Sequence, residues 1–599
     1  MSWRRSVIEV ALGKRPADLV ITGGRLVNVN TREIYPADVA IAGGRIAIVG
    51  DVARATGPQT EVVEAGGCYL VPGLIDSHMH TESSGVTLTQ LSRVLLPRGV
   101  TAIMYAHEMA NVLGVRGMNL VREESQQVPL KIYFETPTSV PWAAGLEMPA
   151  TTLTVEDVHE MLAWRESVTL GESDYFDVLR LDEAILAKLE AAHALGKPVN
   201  GHAAMISGDE LMAVAAGAFH DDHENYSPEE VLAKLRLGMK VMFREANIPW
   251  LTAAITGNEI DTRHLMLCID DKLVNTLLRE GGVDSTVRTA IRHGIDPMTA
   301  IQMGTINAAT HFGVSLDIGS ISPGRIGDVL VTDSLSELTA RAVIANGQLV
   351  ARDGEFLLDL PVYHYPDWAK QTMHLKRPVT AADFEIAAGV EEGEAEVRVI
   401  NISGGGWVKT WSVETFPVRG GRVIFDPTGP YNIVAVVERH GGDGNIGLGI
   451  VKNINLKRGA VASSVAHDCH NITVVGASAE DMAVCVQALV AAGGGVAAGE
   501  SGRVVALVEF EIGGLISEAP YEQVVEKLDR FETVIRSDFG FPDDVEFVVF
   551  NFLVLQSSPF EAAITDRGLI DTYSQSIVPL IVSERGQPGQ TRRDTSLIS

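Results

Sequence analysis

From residue 70 to residue 270 short apolar runs alternate with stretches whose apolar positions recur at helical spacing, which predicts strands separated by helices and a parallel α/β architecture. Eight runs qualify as strands: 70–80 (LVPGLIDSHMH), 99–107 (GVTAIMYAH), 130–136 (LKIYFET), 168–172 (VTLGE), 198–203 (PVNGHA), 218–223 (AFHDDH), 240–245 (KVMFRE) and 265–270 (LMLCID). Between them, DEAILAKLEAAHALG sets Ile185, Leu186, Leu189 and Leu195 on one face and stops at Gly196. SPEEVLAKLRLG opens with Ser227 as cap, Pro228 at the first helical position and Glu230 completing a capping box. Eight strand-helix units over 71–317 match a TIM-like (β/α)8 barrel in number and length.

The flanking segments are patterned differently. DLVITGGRLVNV and DVAIAGGRIAIVG each place apolar runs on both sides of Gly-Gly-Arg, which predicts two hairpins. GDVLVTDSL and AVIANGQLVARDG return to this pattern, with Asn346-Gly347 as the turn, so 1–70 and 318–360 are expected to form one composite small β domain. Segment 361–384, with HYPDWAKQTMHLKRP, is a linker or docking stretch. A further αβ domain is expected over 385–599, with an RGGR hairpin at Arg419–Arg422 near its start. The uncharged stretch from Met482 to Gly499 contains Gln487 and Gly493-Gly494-Gly495, so it reads as a buried helix and turn, not a membrane span. ERGQPGQTRRDTSLIS at 584–599 has the composition of a tail.

Composition narrows the function classes. With 599 residues, 46% apolar and 21% charged, the chain is a soluble, multidomain globular protein. Its 48 basic residues face 77 acidic ones, a net charge of −29, so nucleic acid polymers and anionic membranes meet a repulsive average field. Four scattered cysteines without a CxxC pair argue against a disulfide framework or a structural zinc knot and fit a reducing cytoplasm. Glu9 interrupts the only apolar run near the start, so no export signal is expected. Homo-oligomerisation is the expectation for an enzyme of this size.

The candidate chemistry sits at strand ends. His78 and His80 are two apart in IDSHMH, so on a strand both imidazoles point to one side and can hold one ion. Glu172 closes the fourth predicted strand, His202 the fifth, His223 the sixth and Asp270 the eighth, and such ends converge on the active-site face of a barrel. Taken singly, each has a plainer reading: an incidental polar residue, a satisfied strand-end histidine, or a carboxylate capping the next helix. Their joint placement on one rim favours metal ligation.

PGLIDSHMH, GHAA, the CIDD segment and the closing PGRIGDVLV resemble the amidohydrolase superfamily of metal-dependent hydrolases. Within it the chain is similar to the adenine deaminases, through Glu82-Ser83-Ser84 after the histidine pair, HEMANVLGV, DPMTAIQMGTINAATHFG, GNIGLGIVKNINLKRGAVASSVAHDCHN and ITDRGLID. The resemblance implies His78, His80 and Asp270 on one divalent ion, His202 and His223 on the other, and Glu172 with a hydroxide between them. Mn²⁺, Fe²⁺ and Zn²⁺ all suit such ligands. It implies attack of that hydroxide on C6 of adenine and release of ammonia, with Asp270 carrying the proton to the departing amine. Asp271 is then placed against a ring nitrogen or as a helix cap, Glu82 near the substrate, and His107 and Glu108 to protonate or orient the purine or to line the rim as a polar pair. Arg244, at the seventh strand end, either bonds the base or makes a structural ion pair. Two stretches depart from the family's usual wording, Tyr105-Ala106-His107-Glu108 in place of DPHE and CIDDKLVNTL in place of a CTDDRHPDDL-like string. The alternative activity on the same metals is deamination of another purine or hydrolysis of a cyclic amide; the non-enzymatic alternative is a barrel kept as a binding scaffold. HDCHN at 467–471 is read as a self-bonding loop in preference to a further metal site, or as a loop reaching over the barrel mouth.

Overall fold

The computed structural model describes residues 3–586 except 218, 257, 407, 427, 428, 558 and 559. Nine strands form the central sheet: β1 (Leu74–His80), β2 (Val100–Ala106), β3 (Lys131–Thr136), β4 (Ser167–Asp174), β5 (Val199–His202), β6 (Asp221–Asp222), β7 (Lys240–Phe243), β8 (Leu265–Leu267) and β9 (Asp270–Asp271). Their order is β8-β7-β6-β5-β4-β3-β2-β1-β9, and every pairing is parallel. Strands such as β2, VTAIMYA, are buried along their whole length, as a sheet covered on both faces requires. The eighth predicted run is broken: Leu265–Leu267 pairs with β7, whereas Asp270–Asp271 pairs with Met79–His80 of β1. The two ends of the curled sheet are thereby joined through Cys268 and Ile269.

The predicted run 70–80 also divides. Tyr69–Pro72 belongs to another sheet, antiparallel to Val329–Thr332, and the barrel strand starts at Leu74. Gly73 marks the division because a Cβ there would lie 2.2 Å from Thr101 Oγ1. That other sheet combines strands from Leu19 to Pro72 with strands from Val329 to Phe356. Its first Gly-Gly-Arg is not a hairpin, contrary to expectation: Leu19–Asn28 is one strand with a bulge between Ile21 and Gly24, and Gly23 takes a positive φ of 68° there. The second Gly-Gly-Arg does turn a hairpin, between Glu33–Ala42 and Arg45–Gly50.

The helix at Glu183–Ala194 is capped by Asp182 and buries Ile185 and Leu189, but Leu195 lies beyond its end and is exposed. The helix at Pro228–Arg236 receives its Ser227 cap; Glu230 does not complete the box, since its carboxylate accepts from Met205 N and Tyr226 N instead.

The region after residue 384 builds a ten-stranded sheet and a three-stranded sheet. Met482 sits in the helix Ala479–Ala492, which Gly493 ends in a left-handed conformation before the strand Gly495–Glu500. Ile581–Gly586 pairs with Gly393–Val397, so Glu584–Gly586 of the tail-like stretch is strand, and the remainder lies outside the described residues. Segment 361–384 lies against neighbouring elements: Tyr365 OH donates to Glu124 at 2.7 Å, Arg116 covers Trp368 at 4.0 Å, and Lys370 pairs with Glu518 at 2.8 Å. Among the described residues no helix is long and apolar enough to cross a membrane.

Candidate metal centre

The period of β1 sends His78 and His80 to the same side, where their Nε2 atoms lie 3.1 Å apart. Asp270 arrives from β9, which pairs with β1 at that level, and its Oδ1 is 3.7 Å from His78 Nε2 and 3.4 Å from His80 Nε2. Glu172, on β4, faces both halves of the cluster. Its Oε1 meets His202 Nδ1 and lies 3.2 Å from His223 Nε2, while its Oε2 is 3.6 Å from His80 Nε2. The six side chains expected at one rim are thus brought together, and all six are buried.

Donor atoms of His78, His80 and Asp270 form one group of metal-binding size, and those of His78, Glu172 and His223 form another. Burial alone would raise the Glu172 carboxyl, but His202 and His223 outweigh it and hold the group well below the usual carboxylate range. So ionised a carboxylate, with its two oxygens aimed at different imidazoles, suits a bridging ligand.

Several supporting residues were not anticipated from the sequence. Glu135, at the end of β3, accepts from His78 Nδ1 at 3.0 Å and is itself held by Asn200 Nδ2 at 3.2 Å. This fixes the ring so that Nε2 faces the cluster. Replacing Glu135 by Gln is expected to lower metal affinity or kcat/KM by about 10- to 100-fold, checked by metal titration and steady-state kinetics; an unchanged affinity and rate would show that His78 orients without it. Glu224 follows His223 and joins His202 and His223 in a further donor group. It is also paired with Arg244 at 2.8 Å.

Arg244 takes the ion-pair option, bonding Asp270 Oδ2 at 2.7 Å as well as Glu224. Asp271 lines the cavity but is engaged by Ser83 and by His467 Nε2, the latter at 3.0 Å. Glu82, His107 and Glu108 do not line this cavity. Glu82 accepts from Tyr105 OH and Met109 N, and burial pushes its carboxyl up to about 7. Burial pulls His107 down to about 4. Glu108 instead stands behind the centre, accepting from His80 Nδ1 at 2.6 Å and facing His470 Nε2 at 2.5 Å.

The HDCHN loop therefore reaches over the barrel mouth. His467 also lies 3.2 Å from Ser83 Oγ, and its ring sits edge-on to His80 at 5.2 Å. A cavity opens beside the donors, with about 450 Å³ of space in it and its open mouth together. Trp142 and Tyr226 line it from the barrel; His467, Asp468, Phe552, Leu555 and Phe560 line it from the C-terminal region.

Known proteins share this arrangement of sequence. The amidohydrolase family model matches residues 69–355, and the adenine deaminase C-terminal domain model matches residues 407–576. An adenine deaminase of Moorella thermoacetica is 42% identical over 584 residues, covering 96% of this chain and 98% of the relative. The chain belongs to the adenine deaminase family. Another such deaminase, from Mesorhizobium japonicum, is 40% identical, with 96% of each chain covered. Among solved structures, a zinc-bound adenosine deaminase from Xanthomonas campestris aligns at 16% identity and a TM-score of 0.44, over 58% of this chain and 95% of that one. Membership of the adenine deaminase family joins the amidohydrolase barrel to a C-terminal domain that supplies part of the cavity wall here.

Proposed function

We propose that this chain hydrolyses adenine to hypoxanthine and ammonia in the cavity beside the six donors. The observation that supports this best is the division of Glu172, one oxygen toward His202 and His223 and the other toward His80. The donor set fits a divalent metal, and we read it as a site for two ions of the Mn²⁺, Fe²⁺ or Zn²⁺ type. His78, His80 and Asp270 would hold one, His202 and His223 the other, with Glu172 between. When bound, such ions make water acidic enough to serve as the nucleophile near neutral pH.

The chain's own groups handle orientation and protons. Asp270 accepts the proton of the attacking water and delivers it to the amino nitrogen at C6, which leaves as ammonia; the ring keeps the oxygen. Arg244 holds Asp270 Oδ2, so Oδ1 is the oxygen that faces the donors. Trp142, Phe552 and Phe560 offer aromatic surface to a planar base and keep bulk water away from the reacting carbon. In this reading the barrel, 71–317, supplies every metal donor, and the region 385–599 closes the cavity from above.

The test is metal analysis of the purified chain, combined with ammonia release from adenine, guanine, cytosine, hydantoin and dihydroorotate. Adenine is the expected substrate, with activity lost on chelation and restored by a divalent metal. No ammonia from adenine with metal-loaded protein would overturn the proposal, and release from another member of the panel would redirect it.

A further inference from the structure

Lys409 is fully buried in the strand Val408–Arg419, which pairs along its whole length with Glu392–Ser403. Among the described residues it has no carboxylate partner. Its Nζ donates instead to the carbonyl of Phe552 and lies 3.4 Å from that of Leu555. It also sits 3.9 Å from the ring centre of Phe560, and the Lys409 carbonyl accepts from Glu561 N at 3.0 Å. These contacts include every apolar residue that the C-terminal region contributes to the cavity wall: Phe552, Leu555 and Phe560.

We propose that Lys409 is a positioning residue that sets the apolar wall of the base cavity, an inference that rests on the adenine reading of that cavity. The run Phe547–Val554 is a stretch of short helical turns, and since a carbonyl oxygen has two lone pairs, that of Phe552, which accepts from Leu555 N at 3.1 Å, and that of Leu555, just past the run, can each take a further donor. Water would satisfy them if the segment stood open. Lys409 satisfies them from a strand anchored along its length, so the wall is held closed over the donors. Burial without a counter-charge pulls the amine well below the usual lysine range, and the amine carries N–H donors enough for two carbonyls with or without its proton. An unpaired buried lysine is costly, and its contacts here are those that place Phe552, Leu555 and Phe560.

The test uses the full, metal-loaded chain and compares Lys409→Met and Phe560→Leu with the wild type. Lys409→Met keeps the stem and removes the donors, and Phe560→Leu keeps the amine and removes the ring. Both are expected to raise KM for adenine about tenfold, corresponding to about 1.4 kcal/mol, with kcat changed less than about threefold and metal content unchanged. Backbone hydrogen exchange over 547–557 is expected to quicken in Lys409→Met while the barrel strands keep their protection. Unchanged exchange in this segment, or a KM that stays at the wild-type value, overturns the proposal. Should Lys409→Met not accumulate as folded protein, an unchanged KM in Phe560→Leu overturns it alone. Should the wild type release no ammonia from adenine, the function reading fails, and exchange over 547–557 still decides whether Lys409 holds the wall.

Discussion

Asp270→Asn is expected to reduce kcat for ammonia release from adenine by about 10³-fold, within the range for loss of a positioned acid-base group. The amide has the shape of the carboxylate and keeps an oxygen for Arg244, which now bonds Asp270 Oδ2 at 2.7 Å. It cannot take a proton from water and hand it to the amine. KM for adenine should change little, because the apolar wall that receives the base is built by other residues. Steady-state kinetics with metal content measured on the same preparation gives the answer. A variant that keeps its metal and stays within about tenfold of wild-type kcat would remove Asp270 from the proton path.

Glu172→Gln carries the second large effect. The carboxylate serves two groups at once, with Oε1 toward His202 and His223 and Oε2 toward His80. A glutamine offers one oxygen and one NH₂, so one of these directions is left with a donor where a metal needs an acceptor. The expected result is one fewer ion per chain and a fall in kcat/KM on the order of 10²-fold or more. Full activity with two ions retained would contradict the bridging assignment.

The residues legible in the sequence are those whose position follows from the strand period. His78 and His80 are recognisable because i and i+2 share a face, and Glu172, His202, His223 and Asp270 because each ends a run that reads as a strand. Glu135 is the last residue but one of such a run, LKIYFET, and a lone Glu before the closing Thr136 carries no spacing signal. Glu224 stands one position past the run 218–223 that reads as the sixth strand, so the strand-end rule stops at His223. The first Gly-Gly-Arg was read as a turn because glycine permits both a bulge and a hairpin, and only pairing with Glu33–Ala42 decides between them.

The contribution of the C-terminal region was the least legible. FVVFNFLV at 547–554 is apolar throughout, so no periodicity tells which side faces a cavity. Lys409 lies in a strand whose alternation of burial is irregular, and a lysine there reads as solvated. Its role depends on contacts with residues far along the chain. The HDCHN loop gave a recognisable cluster of polar side chains, but its partners, Glu108, Asp271 and Ser83, lie in the barrel and leave no trace in the local sequence.

The contact between Glu108 and His470 spans 362 positions of sequence. During synthesis the barrel leaves the ribosome well before that histidine, so the nascent enzyme passes through a stage with its ligand-bearing strands made but its roof untranslated. A chain ending before His470 would keep all six donor side chains and lack both this contact and the C-terminal part of the cavity wall, and is expected to release no ammonia.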